Sequence, residues 1–74
     1  MQTLVFNTST KSAKLYEGNE MESKIIQNFD NVPTVKVTDS GFYEIMQTDM
    51  SAGPEKRIPV ARLPISNTNM IIKK

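Results

Sequence analysis

Few side chains in this sequence could carry out catalysis. The 74-residue chain contains no histidine and no cysteine, so the commonest general base and the strongest nucleophile are both missing. The most closely spaced of its eight acidic residues are Glu20 and Glu22. On a helix, side chains two residues apart point in different directions, which does not suit a paired-carboxylate site. We therefore expect that the protein is not an enzyme.

The sequence also lacks the usual signs of a metal or cofactor site. Without cysteine or histidine, the chain cannot form disulfides and has no ligands for the ordinary structural zinc sites. Its three glycines, Gly18, Gly41 and Gly53, fall in three different predicted turns, so they do not form a phosphate-binding loop. We expect no cofactor and no metal.

The charge of the chain is unevenly distributed. The net charge is only +1, but residues 56 to 74 contain five basic residues and no acid, whereas residues 1 to 55 contain four lysines and eight acids. A basic segment next to an aromatic side chain could bind nucleic acid through phosphate contacts and base stacking. The residues that would do so are Lys56, Arg57, Arg62, Lys73, Lys74 and Tyr16. Alternatively, Lys73 and Lys74 form a solvated tail, and Arg57 and Arg62 protect an edge strand from pairing with another chain.

The central stretch, residues 34 to 47, reads TVKVTDSGFYEIMQ and predicts a β-hairpin with a three-residue turn. The turn is Asp39-Ser40-Gly41, in which glycine takes the last position because it enters positive φ without a side-chain penalty. A two-residue turn would place a glutamate among the apolar residues. The predicted pairs are Thr38 with Phe42, Val37 with Tyr43, Lys36 with Glu44, and Val35 with Ile45.

This register divides the hairpin into two faces. The predicted core face consists of Val35, Val37, Tyr43 and Ile45. On the opposite face, Phe42 and Met46 flank the charged pair of Lys36 and Glu44. Either another element or a sister subunit covers these two apolar residues, or the four residues form a protein-binding patch. The second possibility predicts an inhibitor or adaptor that acts by occupying a partner's surface, of the kind that phages and mobile elements encode.

The amino-terminal part predicts a second hairpin. Residues 3 to 7 and 13 to 17 both alternate in hydropathy, and pairing Leu4 with Leu15 and Phe6 with Ala13 places their apolar residues on one face. The loop would then be Ser9-Thr10 or a looser connection, because Ser-Thr is a poor pair for a two-residue hairpin turn.

Residues 20 to 28 predict the one short helix. Asn19 and Glu22 form a loose capping box, and Met21, Ile25 and Phe29 form one apolar stripe at helical spacing. The alternative is a strand over residues 24 to 29.

The carboxyl-terminal part predicts two further strands. Residues 56 to 65 alternate in hydropathy, but Pro59 and Pro64 cannot donate to a ladder, so this strand should lie at an edge or be bent. Residues 66 to 69 form a turn, and residues 70 to 73 close the chain as a strand. This order, with PISN at residues 64 to 67, is similar in layout to small SH3-like barrels. The sequence thus predicts one mainly β domain over residues 1 to 74, with five to six short strands in a small barrel or a strongly bent antiparallel sheet.

No apolar run approaches the roughly 20 residues that span a membrane, and the amino terminus does not resemble a secretion signal. We therefore expect a cytoplasmic protein with no membrane partner. At this size the hydrophobic core is small, so a homo-oligomer would be one way to bury more surface. The expected partner is another protein, with nucleic acid as the alternative.

Overall fold

The computed structural model describes residues 1–18, 24–49, 51, 53 and 56–74. This part of the chain forms seven strands and one 3-10 turn. The strands are β1 (Gln2–Asn7), β2 (Ser12–Tyr16), β3 (Ile25–Phe29), β4 (Thr34–Val37), β5 (Phe42–Thr48), β6 (Arg57–Pro64) and β7 (Thr68–Lys73), and the turn is Ile65–Asn67. The prediction of a mainly β fold is confirmed, with seven strands where five to six were expected.

The strands form two sheets. The four-stranded sheet has the order β3-β2-β1-β7, and the three-stranded sheet has the order β4-β5-β6. All pairs are antiparallel except β1 with β7, which is parallel.

Neither sheet closes into a barrel within the described residues, so the predicted barrel is wrong. Closure would need β6 to pair with β7 and also β3 to pair with β4. Pro59 and Pro64 in β6 have no N–H to donate to β7. The alternative, one bent antiparallel sheet, is also wrong, because the described strands form two sheets and β1 pairs with β7 in parallel.

The amino-terminal hairpin has the predicted register. Leu4 lies opposite Leu15, and Phe6 lies opposite Ala13. The turn is the looser alternative, because pairing ends at Asn7 and Ser12. Asn7 Oδ1 accepts hydrogen bonds from the backbone N–H groups of Ser9 and Thr10, both at 3.0 Å. This side chain replaces ladder bonds that the turn cannot make.

The central hairpin also has the predicted register and turn. Val35 lies opposite Ile45, and Val37 lies opposite Tyr43. The N–H of Thr38 donates to the carbonyl of Phe42 at 2.9 Å, and the N–H of Gly41 donates to the carbonyl of Thr38 at 3.1 Å. Gly41 has φ +89°, as a left-handed residue at the end of this turn requires.

We expect Gly41→Ala to lower the free energy of unfolding by about 1 kcal/mol, because a Cβ is strained at positive φ. Nothing lies within 4 Å of the position that this Cβ would occupy, so the backbone conformation alone sets the cost. Gly41→Asn should cost less, since asparagine tolerates the left-handed region better. Urea unfolding of both variants measures the difference, and equal stability of Gly41→Ala and the parent protein would contradict it.

The predicted helix over residues 20 to 28 is wrong over its second half. Ile25–Phe29 is strand β3, which confirms the alternative, while residues 20–23 lie outside the described residues. A helix would have buried a stripe that includes both Ile25 and Phe29, but β3 buries only Phe29, which lies opposite Ala13. Adjacent β-branched residues such as Ile25 and Ile26 also favour a strand. Pairing with β2 satisfies the backbone hydrogen-bonding groups on one side of β3.

The core lies between the two sheets. Leu4, Leu15 and Phe29 are buried from the four-stranded sheet, and Ile45 and Leu63 from the three-stranded sheet. The predicted strand over residues 56 to 65 lies at an edge, as its prolines indicate, and β7 begins two residues earlier than predicted. The four-stranded sheet therefore has one face on the core and one face directed away from it, which is called the outer face below.

Candidate functional site

For Phe42 and Met46 on the second face of the central hairpin, the structure supports the first predicted possibility, cover by another part of the protein, rather than an exposed apolar patch. Met46 is buried, with 6% of its surface exposed, and Phe42 is half-buried. Val37, predicted to lie in the core, is 67% exposed. The strand alternation is as predicted, but alternation does not determine which part of each face is covered. A register shift between Ile45 and Met46 also bends the sheet at this point, as bulges do.

The charged residues of the hairpin lie in one row across the three-stranded sheet. Glu44 is paired with Lys36 on β4 and with Arg62 on β6. Arg62 Nε donates to Glu44 Oε2 at 2.8 Å. The guanidinium is mostly exposed, and such surface pairs contribute less than about 1 kcal/mol. The pair brings an acid next to one of the two predicted phosphate-binding arginines.

The structure divides the predicted nucleic-acid-binding residues between the two sheets. Arg57 and Arg62 lie on β6 of the three-stranded sheet, whereas Tyr16 and Lys73 lie on β2 and β7 of the four-stranded sheet. Lys56 and Lys74 are exposed next to the ends of β6 and β7. Of the six predicted residues, Tyr16 and Lys73 line one groove, and the other four do not line it.

This groove, called the outer groove below, lies on the outer face of the four-stranded sheet and has a volume of about 320 Å³. Its lining side chains come from β1, β2, β7 and the first hairpin turn, and they are Asn7, Thr10, Ser12, Lys14, Tyr16 and Lys73. Val5 also lines it and is itself buried. Lys14 was absent from the predicted site. The sequence feature that could have identified Lys14 is its position two residues before Tyr16. This spacing places both side chains on the face of the strand opposite to Ala13 and Leu15.

The exposed apolar residues lie on the sheet edges. Apart from Met1, the large hydrophobic residues that are exposed in the described part of the chain all belong to β3, β4, β6 or β7, the four edge strands, and they are Ile25, Ile26, Val37, Ile58, Val60 and Ile72. An edge strand presents backbone N–H and C=O groups that no neighbouring strand pairs. These edges are a second candidate surface.

No protein-family model, curated protein or solved structure matches this chain. Among the described residues, no group of three acidic side chains is placed to hold a metal ion. No helix in that part of the chain is long and apolar enough to cross a membrane. The outer groove and the sheet edges are the two candidate surfaces in the described part of the chain.

Proposed function

We propose that the chain is a small, non-enzymatic protein-binding module of the cytoplasm, which acts as an inhibitor or adaptor through edge strand β3. The observation that carries this proposal is the exposure of β3. Four of its five residues are exposed, including Ile25 and Ile26, the second of which is 52% exposed. An exposed apolar edge is the feature that strand addition by a partner uses.

The other three edges are protected in ways that β3 is not. Strand β6 contains Pro59 and Pro64 together with two arginines, and β4 has only four residues, one of them Lys36. Strand β7 ends at Lys73. Prolines, charged side chains and short length all hinder pairing with another chain. The sequence of β3, IIQNF, contains no proline and no charged residue, so it is the edge best suited to accept a partner strand.

Binding at β3 would extend the four-stranded sheet. The main chain of an extended partner segment would bond to the edge of β3 that no described strand pairs, which contributes affinity. Its side chains would contact the two isoleucines, which contributes specificity. Because β3 offers aliphatic and amide side chains, the matching segment is apolar and uncharged where it faces Ile25 and Ile26. The protein would act as an inhibitor or an adaptor by occupying this segment of its partner.

We expect Ile26→Lys to abolish capture of the partner from a lysate of the source cells, because the variant places a charge on the edge that pairs. Ile26 is preferred to Ile25, which lies opposite Tyr16 and so borders the outer groove. The matched control is Ile72→Lys on β7, a more exposed isoleucine at the opposite edge of the same sheet.

Stoichiometric capture that survives nuclease, persists in Ile72→Lys and is lost in Ile26→Lys supports binding at β3. Equal capture by both variants would show that β3 is not the binding edge. Loss of capture on nuclease treatment of the parent protein would contradict protein recognition altogether. Circular dichroism of each variant checks that the fold is retained.

A further inference from the structure

Strands β3 and β4 are edge strands of different sheets that follow each other in the chain. They are joined by residues 30–33, but they do not pair, because β3 pairs with β2 and β4 pairs with β5. Such a short connection keeps the end of β3 close to the start of β4. The two sheet edges therefore meet at this junction.

The junction itself is fixed to the rest of the molecule. Val32 is fully buried, and its N–H donates to the carbonyl of Lys11 at 2.8 Å. The carbonyl of Asn31 accepts a hydrogen bond from the N–H of Thr48 at 2.9 Å. These two bonds connect the junction to the first hairpin turn and to the end of β5, so both strands extend from a fixed point.

Burial decreases with distance from the junction on both strands. On β3, Phe29 next to the junction is buried, whereas the other four residues are exposed. On β4, the first two residues are half-buried and the last two are exposed. The two edges are thus covered near the junction and open away from it. This opening is called the β3/β4 gap below, and its walls are Ile25 and Ile26 on β3 and Lys36 and Val37 on β4.

Both walls of the β3/β4 gap offer apolar surface. Val37 lies on the same face of β4 as Val35, which packs against the core, so the exposed side chain of Val37 is on the inner side of the gap. A register shift in the pairing of β2 with β3 places Ile25 and Ile26 next to an irregularity, where two residues of one strand oppose one residue of the other. A segment added to β3 would therefore have apolar neighbours on both sides.

Lys36 determines the charge of the gap, because it is the only charged residue of β3 and β4. Its side chain is exposed, and Glu44, the acid opposite it, forms an ion pair with Arg62. A lysine on an edge strand hinders pairing with an apolar or basic strand. The same lysine favours a segment that places an acid beside it, so the charge of the gap selects among possible occupants.

From these features we infer that the β3/β4 gap receives an extended, acidic-apolar peptide segment of the partner. The main chain of this segment pairs with β3, while one of its apolar side chains contacts Val37 and one of its carboxylates lies beside Lys36. Because Lys36 and Val37 are on opposite faces of β4, the acid is directed outward and the apolar side chain inward. This inference rests on the proposed function and adds β4 as the second wall of the site.

Selection of short random peptides, displayed on a surface, against the full chain tests the inference. We expect the enriched peptides to alternate apolar and polar residues, to contain an aspartate or glutamate, and to lack proline at their centre. One enriched peptide is then synthesised with a fluorescent label, and its affinity for each variant is measured by anisotropy. Circular dichroism of each variant checks that the fold is retained.

Val37→Ala and Lys36→Gln should each weaken binding of this peptide by about three- to fivefold, because each removes one partly exposed contact. Val60→Ala and Lys56→Gln are the matched controls, since they make the same changes on or beside β6, the other edge of the three-stranded sheet, and they should keep the parent affinity. Replacing the acid of the peptide with glutamine should weaken binding to the parent protein but not to Lys36→Gln, which isolates the charge pair.

The variants separate failure of this inference from failure of the proposed function. Peptide binding that is lost in Ile26→Lys but unchanged in Val37→Ala and Lys36→Gln would overturn the role of β4 and leave strand addition at β3 in place. Enrichment of basic or uncharged peptides would overturn the acidic character of the segment. Peptides that bind Ile26→Lys as tightly as the parent protein, or no enrichment at all, would contradict both proposals.

Discussion

Leu4→Ala is expected to lower the free energy of unfolding by about 2 to 5 kcal/mol, the range observed when a large core side chain is truncated and the cavity closes only partly. Leu4 has no exposed surface and lies in β1, between β2 and β7. It contributes to the buried cluster in which both sheets meet. For a domain of this size such a loss lowers the melting temperature by roughly 10 °C or more.

The matched control for Leu4→Ala is Ile72→Ala. Ile72 lies in the same sheet, but 63% of its surface is exposed, so truncation removes little buried area. We expect this variant to unfold within about 0.5 kcal/mol of the parent protein. Chemical denaturation followed by circular dichroism compares the two. Similar losses in both variants would mean that the core does not lie between the two sheets as described.

Met46→Ala is expected to destabilise the protein by about 2 kcal/mol or more, because Met46 is almost fully buried. Val37→Ala, in the same hairpin, should change the free energy of unfolding by less than about 0.5 kcal/mol, since Val37 is mostly exposed. Hydropathy alternation alone predicts the reverse order, with Val37 in the core and Met46 on the surface. The two variants therefore separate alternation from tertiary cover as the determinant of burial.

Thermal unfolding of Met46→Ala and Val37→Ala measures this order directly, and partner capture adds a second comparison. If Met46 acts through packing, capture by Met46→Ala should fall only in proportion to the loss of folded protein. A stable Met46→Ala variant that no longer captures its partner would instead restore the hairpin patch as a binding surface and would contradict its burial.

The local patterns in the sequence determined both hairpins. Residue alternation sets the register because a shift by one position would move every apolar side chain to the other face. The pairs of Leu4 with Leu15 and of Val35 with Ile45 follow from this rule. The turn at Gly41 follows from the need for positive φ. Pro59 and Pro64 likewise placed β6 at an edge, because a missing N–H is a property of the residue itself.

Tertiary structure decided the features that depend on distant residues. Residues 24 to 29 fit both a helix and a strand by pattern, and pairing with β2 selects the strand. The parallel pairing of β1 with β7 joins the two ends of the described chain and leaves no local pattern. The same pairing brings Lys73 beside Asn7 and thereby assembles the outer groove with Lys14 and Tyr16.

The burial of Met46 and the exposure of Val37 have the same origin. Alternation assigns each side chain to a face of its sheet, whereas burial depends on whether another part of the chain covers that face. The sequence by itself therefore determined the strand pairs and turns, which rest on neighbouring residues. The packing of the two sheets decided which of those residues form the core and which remain available to a partner.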